Sequence, residues 1–219
     1  MKCDLHIHSH YSYDSNASIK AIVDSAIKKG IDCIAITDHD EIKGAFEAIE
    51  YAKTKPILVI PAIEIKSKEG DIIALNIKEN IEKNLSAEQT IRKIKEHGGF
   101  AIIAHPFGDW HGFKKDIKDF VGKIDAIEVL NASVFFGNKK AKETVQKYNL
   151  AFSAGSDAHE PKFIGSVYLE IPGQDLSIEQ ILKAIKDKNC EAKGKELSLF
   201  EKITERSKRG LIRMSKLFK

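Results

Sequence analysis

The sequence contains few cysteines and no long apolar segment. Its three cysteines, Cys3, Cys33 and Cys190, are widely spaced, and no CxxC pair occurs. This pattern argues against a disulfide framework and against a thiolate zinc site, and it favours reduced thiols in a cytoplasmic protein. Because no run of about 18 apolar residues is present, no transmembrane association is predicted. We also expect no secretory signal peptide, since the first histidines follow almost directly on Met1.

The composition is that of an ordinary globular protein. The chain has 219 residues, of which 42% are hydrophobic and 31% charged, and its formal net charge is only +3. No low-complexity tract, proline-rich linker or internal repeat interrupts it. A chain of this length can bury a single extended core.

Short β-branched runs alternate with amphipathic helical stretches along most of the chain. Candidate strands are CDLHIH, IDCIAIT, ILVIPAIEI, DIIALNI, FAIIAH, DAIEVLN and LAFSAGS. Ser18 can cap the first helix, and Ser86 with Gln89 forms a capping box before another. About seven strand–helix units exceed a minimal doubly wound sheet, so we predict an α/β fold, a distorted (β/α)7 TIM-like barrel.

The last part of the chain differs in composition. Residues 1–195 are predicted to form the barrel, and residues 196–219 a basic amphipathic helix that packs on it. Apolar residues recur there at helical intervals with lysine and arginine between them. We expect this helix to close the bottom of the barrel; an anionic surface, either membrane or nucleic acid, is the alternative target.

The stretch DLHIHSHYSYD near the N-terminus carries three histidines and two aspartates. In a strand, His6 and His8 point to the same face, about 7 Å apart, and can converge on one ion. A single HxH pair is weak evidence, because polar alternation also occurs by chance on exposed strands. Its meaning depends on partners elsewhere in the chain.

Further nitrogen and oxygen donors follow the ends of the other predicted strands. The carboxyl ends of barrel strands meet on one rim, where catalytic residues gather. The full set of candidate ligands is His6, His8, Asp14, His39, Glu64, His105, Asp157 and His159. Without sulfur, the set suits zinc, manganese or iron. Eight donors exceed one tetrahedral site, so two or three divalent ions that share a bridging carboxylate are predicted. His10, His97 and His111 are not predicted to be ligands.

The motifs DLHIHSHYSYD, TDHD, AIE, AHP and GSDAH, in this order, resemble the PHP (polymerase and histidinol phosphatase) family. The resemblance implies a distorted (β/α)7 barrel with a metal centre at the strand ends. It implies that His6, His8, Glu64 and Asp157 bind one ion, and that Glu64 bridges to a second ion held with His105. Asp14, His39 and His159 would hold a third ion. Asp71 stands where family members often carry a histidine, so it is a further candidate ligand of the second ion.

The resemblance also implies phosphoester hydrolysis. The predicted reaction is hydrolysis of a small phosphomonoester, such as a nucleotide or sugar phosphate, in which a hydroxide held between two ions attacks phosphorus in line. Glu64, Asp157 and His159 are the predicted catalytic residues. The alternatives are a phosphodiesterase or nuclease that acts on oligonucleotides, and a metal-binding module without catalysis. The sequence has no basic and aromatic groove signal, so no stable nucleic acid partner is expected.

Two residues are predicted to bind substrate. Asn131 ends a strand on the same rim and can donate a hydrogen bond to phosphate, and Lys162 is one of the few rim cations. Arginine is the usual bidentate ligand of phosphate. Only four arginines occur, and no predicted loop of the rim contains one. Metal ions and lysines are therefore expected to provide most of the phosphate binding.

Overall fold

The computed structural model describes residues 1–109 and 112–217. Nine strands form one sheet, and their bounds are β1 Lys2–Ile7, β2 Cys33–Ile36, β3 Leu58–Lys66, β4 Asp71–Leu75, β5 Phe100–Ile103, β6 Ala126–Asn131, β7 Phe152–Gly155, β8 Val167–Glu170 and β9 Glu191–Gly194. The helices are α1 Ile19–Lys28, α2 Lys43–Ala52, α3 Ala87–Glu96, α4 Asn138–Tyr148, α5 Ile178–Lys186 and α6 Leu199–Leu217. His111 lies outside the described residues.

Local sequence signals set the starts of several helices. Ser18 caps α1 by accepting a hydrogen bond from the backbone N–H of Ala21. Ser86 and Gln89 form the predicted capping box of α3, and Ser177 with Gln180 forms another at α5. These caps satisfy N–H groups that have no partner within the helix, which fixes where each helix begins.

The sheet curls into a nearly closed barrel, as predicted. Its strand order is β7-β6-β5-β4-β3-β2-β1-β8-β9. The ring closes where β1 meets the end of β7: the N–H of Asp157 donates to the carbonyl of His6 (2.8 Å), and that of His8 donates to Ala158 (2.9 Å). Strands β8 and β9, which the sequence did not indicate, form an antiparallel pair that extends the sheet from β1.

One strand of the ring runs against its neighbours. Strand β4 pairs antiparallel with both β3 and β5, whereas the other neighbours from β1 to β7 pair in parallel. Asp71 opens β4 opposite Lys66, which ends β3. Because β4 is reversed, its first residue lies on the same rim as the last residues of the parallel strands.

Isoleucine dominates the interior. Ile34, Ile60, Ile63, Ile72 and Ile102 are all fully buried, on strands whose two faces are both covered. β-branched side chains suit such strands because they pack well on a pleated surface. This core holds the rim residues of the parallel strands close together.

Helix α6 lies across the rim and not at the bottom of the barrel, where we expected it. The Arg209 guanidinium donates to Asp14, and the Lys216 ammonium donates to the carbonyls of His10 (2.8 Å), Ser12 (2.6 Å) and Ser15 (2.7 Å). The apolar side of α6 faces outward and remains exposed. Polar contacts to the rim, and not apolar burial, therefore set the orientation of this helix.

Within residues 1–109 and 112–217, no helix is both long and apolar enough to cross a membrane.

Candidate metal centre

The predicted ligands come together at the rim because each follows or ends a neighbouring strand. The loops after β5 and β7 turn sharply, and His105 (φ 26°) and Asp157 (φ 51°) have left-handed backbone conformations that non-glycine residues seldom adopt. Hydrogen bonds hold both residues: the N–H of His105 donates to Glu128 (2.8 Å), and that of Asp157 donates to His6. Such backbone strain persists only where the surrounding structure compensates for it, as at functional sites.

His6, in β1, and His8, directly after this strand, face each other at the base of the centre. Their Nε2 atoms lie 3.1 Å apart. Asp157 Oδ1 is 3.7 Å from the Nε2 of His6 and 3.3 Å from that of His8. Each histidine also has a carboxylate oxygen of Glu64 at 3.4 Å. His6, His8 and Asp157 form a first cluster of possible metal ligands, and Glu64, which the resemblance assigned to the same ion, lies beside them.

Glu64 lies between two groups of histidines. Its Oε1 is 3.2 Å from the Nε2 of His105, and its Oε2 is 2.9 Å from the Nδ1 of His39. Glu64 and His105 form a second cluster with His6, in which the donor atoms lie within 4.8 Å of one another. This position suits the bridging role predicted for Glu64.

A third cluster consists of His8, Asp14, His39 and His159, again with all donor atoms within 4.8 Å. Asp14 Oδ2 lies 3.2 Å from the Nε2 of His159 and 3.6 Å from that of His39. Asp14, His39 and His159, which the resemblance assigned to a third ion, thus lie together, with His8 beside them.

Several of these donor atoms make no hydrogen bond within the part of the chain that the structure describes. Asp14 Oδ1, His39 Nε2, Glu64 Oε2 and His159 Nε2 are buried and lack a hydrogen bond partner in the described part of the chain. Buried polar atoms without partners are costly, and native proteins seldom leave them so. Imidazole nitrogens and carboxylate oxygens are the ligands of zinc, manganese and iron. The donor set therefore fits divalent metal ions.

The buried charges of the centre shift each other's pKa values. Burial lowers the pKa of His6, but the carboxylates of Asp157, Glu128 and Glu64 outweigh it and raise that pKa well above its usual value. Burial raises the pKa of Glu64, but the neighbouring histidines outweigh it and hold that pKa well below its usual range. The pKa of His8 is well below its usual value because of burial and its histidine neighbours His159 and His39.

A second layer of polar groups orients the imidazoles. Nδ1 of His6 lies 3.1 Å from Glu128 Oε1, and Nδ1 of His8 lies 3.0 Å from the hydroxyl of Ser12. The Ser12 hydroxyl in turn donates to buried Asp38 (2.9 Å). When Nδ1 carries the proton in these bonds, the lone pair of Nε2 points into the centre, which is the state that binds a metal ion.

Helix α6 contributes two further groups to this layer. Arg209 donates from Nε (3.1 Å) and Nη2 (2.9 Å) to Asp14 Oδ2. One helical turn earlier, Glu205 Oε1 lies 3.4 Å from the Nδ1 of His159. Both contacted residues belong to the third cluster, so α6 fixes the positions of two of its four members.

Comparison with known proteins identifies the family of the chain. The sequence model of the PHP domain matches residues 4–191. The chain belongs to the PHP domain family. It is 40% identical over 166 residues to an uncharacterized protein of Methanocaldococcus jannaschii, covering 67% of this chain and 95% of that protein. It is 27% identical to a probable histidinol-phosphatase of Thermotoga maritima, covering 86% and 93% of the two chains.

A solved structure has the same fold as this PHP domain. It is a two-domain protein of Bacteroides vulgatus that contains a predicted PHP-like metal-dependent phosphoesterase. The TM-score is 0.77 at 22% identity, and the match covers 95% of this chain and 69% of that one.

The metal centre of this PHP domain opens into a cavity of about 330 Å³. The metal-centre residues Asp14, His39, Glu64, His105 and Asp157 line it, and so do Asp71, Tyr13 and, from α6, Arg206, Arg209 and Arg213. The sequence predicted no arginine at this rim. That expectation was wrong because it considered only the loops that follow the strands, whereas α6 brings three arginines from the far end of the chain.

Three further residues that the sequence indicated, Asp71, Asn131 and Lys162, lie outside the three clusters of possible metal ligands. Asp71 lines the cavity, and burial together with the charge of Glu64 raises its pKa to about 6, but it belongs to none of the three clusters. Asn131 is fully buried, and its amide nitrogen donates to Glu128 (3.0 Å) and Asp157 (3.4 Å). Instead of reaching phosphate, Asn131 orients carboxylates.

Lys162 is not brought to the cavity. Its ammonium group lies 3.4 Å from Glu160, over the ring of Phe163, and its side chain is 56% exposed. The loop that carries Lys162 turns away from the centre after His159. The structure thus offers no support for Lys162 as a phosphate ligand, and α6 supplies the nearby cations instead.

Sequence reasoning missed Glu128 and Glu205. Glu128 lies within the buried run AIEVLN, and a lone acidic residue in a fully buried strand was a usable signal, because such a charge needs a partner. Glu205 gave no such signal, since it alternates with lysine and arginine on a helix that looked like an ordinary solvated one.

Proposed function

We propose that this PHP domain protein hydrolyses a small phosphomonoester in a metal-dependent reaction. The observation that carries the proposal is the convergence of eight nitrogen and oxygen donor residues at the base of a cavity lined by three arginines. Several of the donor atoms make no hydrogen bond in the described part of the chain. The likeness to a probable histidinol-phosphatase supports a monoester substrate.

The residues of the centre would act mainly by holding charge in place. His6, His8, Glu64 and Asp157 would bind one ion, Glu64 and His105 a second, and Asp14, His39 and His159 a third. When bound, such ions supply an activated water and neutralise charge on the phosphoryl oxygens. Glu64 is buried among His6, His8, His39 and His105, so it stays ionised and can share its two oxygens between neighbouring ions.

The arginines of α6 would bind the phosphoryl group. Arg209 is held against Asp14, whereas Arg213 lies over the ring of Tyr13, with its guanidinium carbon 5.2 Å from the ring centre. In the described part of the chain, no carboxylate pairs with Arg213. A planar guanidinium at the mouth of an anion site can donate two parallel hydrogen bonds to phosphate.

The size of the cavity favours a small substrate over a polymer. Its volume of about 330 Å³ lies in the range of small-molecule sites. Helix α6 covers one side of it. An oligonucleotide would need an open groove with stacking surfaces along its path.

A combined metal and substrate experiment tests the proposal. The purified protein would be stripped with a chelator, reloaded with manganese, iron or zinc, and assayed for phosphate release from nucleotides, sugar phosphates and short oligonucleotides. We expect release from monoesters only with metal present. Shortening of oligonucleotides without monoester turnover would favour a nuclease, and metal-loaded protein without any turnover would contradict the proposal.

Replacement of His6 and His8 by alanine should abolish metal binding and activity together, because both imidazoles face the same ion. His97→Ala is the matched control, since His97 lies at the end of α3 and pairs with Glu79. Metal content by mass spectrometry and phosphate release would be measured on all variants. Full activity of the double variant would contradict the assignment.

A further inference from the structure

A positively charged side chain contacts one of the proposed metal ligands. Arg209 donates from Nε (3.1 Å) and Nη2 (2.9 Å) to Asp14 Oδ2. The same oxygen lies 3.2 Å from the Nε2 of His159 and 3.6 Å from that of His39. Asp14 Oδ2 therefore lies beside the imidazoles of the third cluster, and the guanidinium already holds it. A metal ion between these imidazoles would need an oxygen that already accepts two hydrogen bonds.

The carboxylates of the other two clusters have a different kind of charged partner. In the described part of the chain, the charged groups that contact Glu64 and Asp157 are imidazoles of the centre. An imidazole gives up its proton when a metal ion binds, so it no longer repels the ion. A guanidinium cannot be deprotonated in a protein. Arg209 therefore keeps its positive charge beside Asp14 whether or not an ion is bound.

We propose that Arg209 competes with a divalent ion for Asp14 and makes the third cluster the weakest of the three metal sites. This inference rests on the proposed assignment of Asp14, His39 and His159 to a third ion. Partial burial strengthens the repulsion between guanidinium and ion relative to water. Glu205 offsets part of this repulsion, but its Oε1 approaches the Nδ1 of His159 (3.4 Å), whereas Arg209 holds the oxygen beside Nε2. The number of bound ions would then depend on the concentration of free metal.

Arg209 has space into which it can turn when an ion takes Asp14 Oδ2. Both residues line the cavity of about 330 Å³ at the metal centre. They also line a second cavity, of about 340 Å³, whose other walls come from α6, from the start of α1 with the loop before it, and from the loop after His159. The helix itself can stay in place, because the Lys216 ammonium holds it to the carbonyls of the loop before α1. Competition therefore requires only a side-chain movement.

Manganese titration of the metal-free full chain tests the order of affinities. Equilibrium dialysis with metal analysis would count the bound Mn²⁺ per chain as free Mn²⁺ rises. We expect two ions to bind first, and a third with a dissociation constant at least about tenfold higher because of the like charge beside it. Asp14→Asn should remove this weakest ion and leave the other two. Three ions of equal affinity, or the loss of a tightly bound ion in Asp14→Asn, would overturn the proposal.

Replacement of Arg209 by glutamine distinguishes competition from orientation of Asp14. Arg209→Gln removes the charge, so the third ion should bind at least about tenfold more tightly while the other two are unchanged. Arg209→Lys keeps the charge and should keep the third ion weak. Lys208→Gln is the matched control, because it removes a charge from the same helix, where Lys208 pairs with Glu160 (2.9 Å). Weaker or unchanged binding of the third ion in Arg209→Gln would show that Arg209 only orients Asp14, and would overturn the proposal.

Nuclear magnetic resonance of the arginine side chains follows the competition in the wild-type chain. The chain has only four arginines, so their Nε–H signals can be followed one by one during a titration with diamagnetic zinc. The signal that is absent in Arg209→Gln should shift as the third ion binds, because the hydrogen bond to Asp14 is lost. A signal that stays unchanged with the third ion bound would overturn the proposal. Neither titration uses a substrate, so a failure to release phosphate would contradict the proposed function alone.

Discussion

At the scale of single residues, the metal centre depends as much on the groups behind the ligands as on the ligands. Glu128 is the clearest case. One of its oxygens faces the Nδ1 of His6, and the other accepts hydrogen bonds from the backbone of His105 and the amide of Asn131. It therefore connects two ligands that come from strands far apart in the sequence.

Replacement of Glu128 by glutamine should weaken metal binding. The amide would present N–H groups to at least one of these donors, so the orientation of His6 or His105 would no longer be fixed. Loss of such an outer contact typically reduces metal affinity by about 10- to 100-fold. Titration of the metal-free variant would measure the change. Glu96→Gln is a suitable control because Glu96 is exposed on α3; an unchanged affinity of the Glu128 variant would contradict the role.

At the scale of elements, the orientation of α6 is the feature that was predicted least well from the sequence. Its helical character was evident from periodicity, and its basic side was visible. The sequence did not show which side of the helix faces the barrel, because apolar residues are usually the ones that are buried. The rule failed since Arg209 and Asp14, 195 positions apart, form a partly buried ion pair. No local pattern contains such a long-range contact.

The arginine at the cavity mouth should affect substrate binding more than turnover. If Arg213 binds the phosphoryl group, Arg213→Ala should raise KM by about 10- to 100-fold, which corresponds to the loss of a charged hydrogen bond. We expect kcat to change much less, because such a contact is made in both ground and transition states. Arg213→Lys should restore binding only in part.

Steady-state kinetics with the most active monoester, and inhibition by inorganic phosphate, would show this difference. Arg92→Ala is the control, as Arg92 lies on α3 and pairs with Glu96. A fall in kcat of the same size as the rise expected for KM, with KM itself unchanged, would argue against binding of the ground-state phosphate by Arg213.

The strands show the same limit of prediction from local sequence. Strands β1 to β7 were predicted because each is an apolar or β-branched run between turn signals. Strand β9, with the sequence EAKG, was not, because it contains no apolar pattern. It forms only because β8 offers it an edge to pair with. Tertiary context, and not propensity, determines such strands.

At the scale of the whole molecule, the rim concentrates carboxylates and imidazoles, and the Arg209 guanidinium pairs with one of these carboxylates, that of Asp14. The clustering of ligands on one rim followed from the sequence, since parallel strands end on one side. Their division into three clusters did not follow from spacing, because Asp14 and His39 join His159 through the packing of separate loops.

Metal binding should release protons at neutral pH. Although burial acts in the opposite direction, the carboxylates of the centre raise the pKa of His105 and of His159 to about 9 in the metal-free protein. Both imidazoles are then protonated at pH 7, and a metal ion must displace these protons. Apparent metal affinity should therefore rise with pH through the range in which these imidazoles lose their protons.

Calorimetry of metal binding at pH 7 in buffers of different ionisation enthalpy measures this release. We expect the heat to depend on the buffer and to correspond to more than one proton per protein. The same titration at pH 10 should show less release than at pH 7, which serves as the internal control. Heats that are independent of the buffer at pH 7 would contradict the predicted protonation.

The position of α6 has a consequence for how the protein can change over generations. The matched PHP segment ends at residue 191, whereas α6 begins at Leu199. The donor atoms of the metal centre and the arginines at its mouth are thus encoded in separate stretches of the gene. Codon changes in the last stretch can alter which molecules enter the cavity while the inherited donor set stays intact.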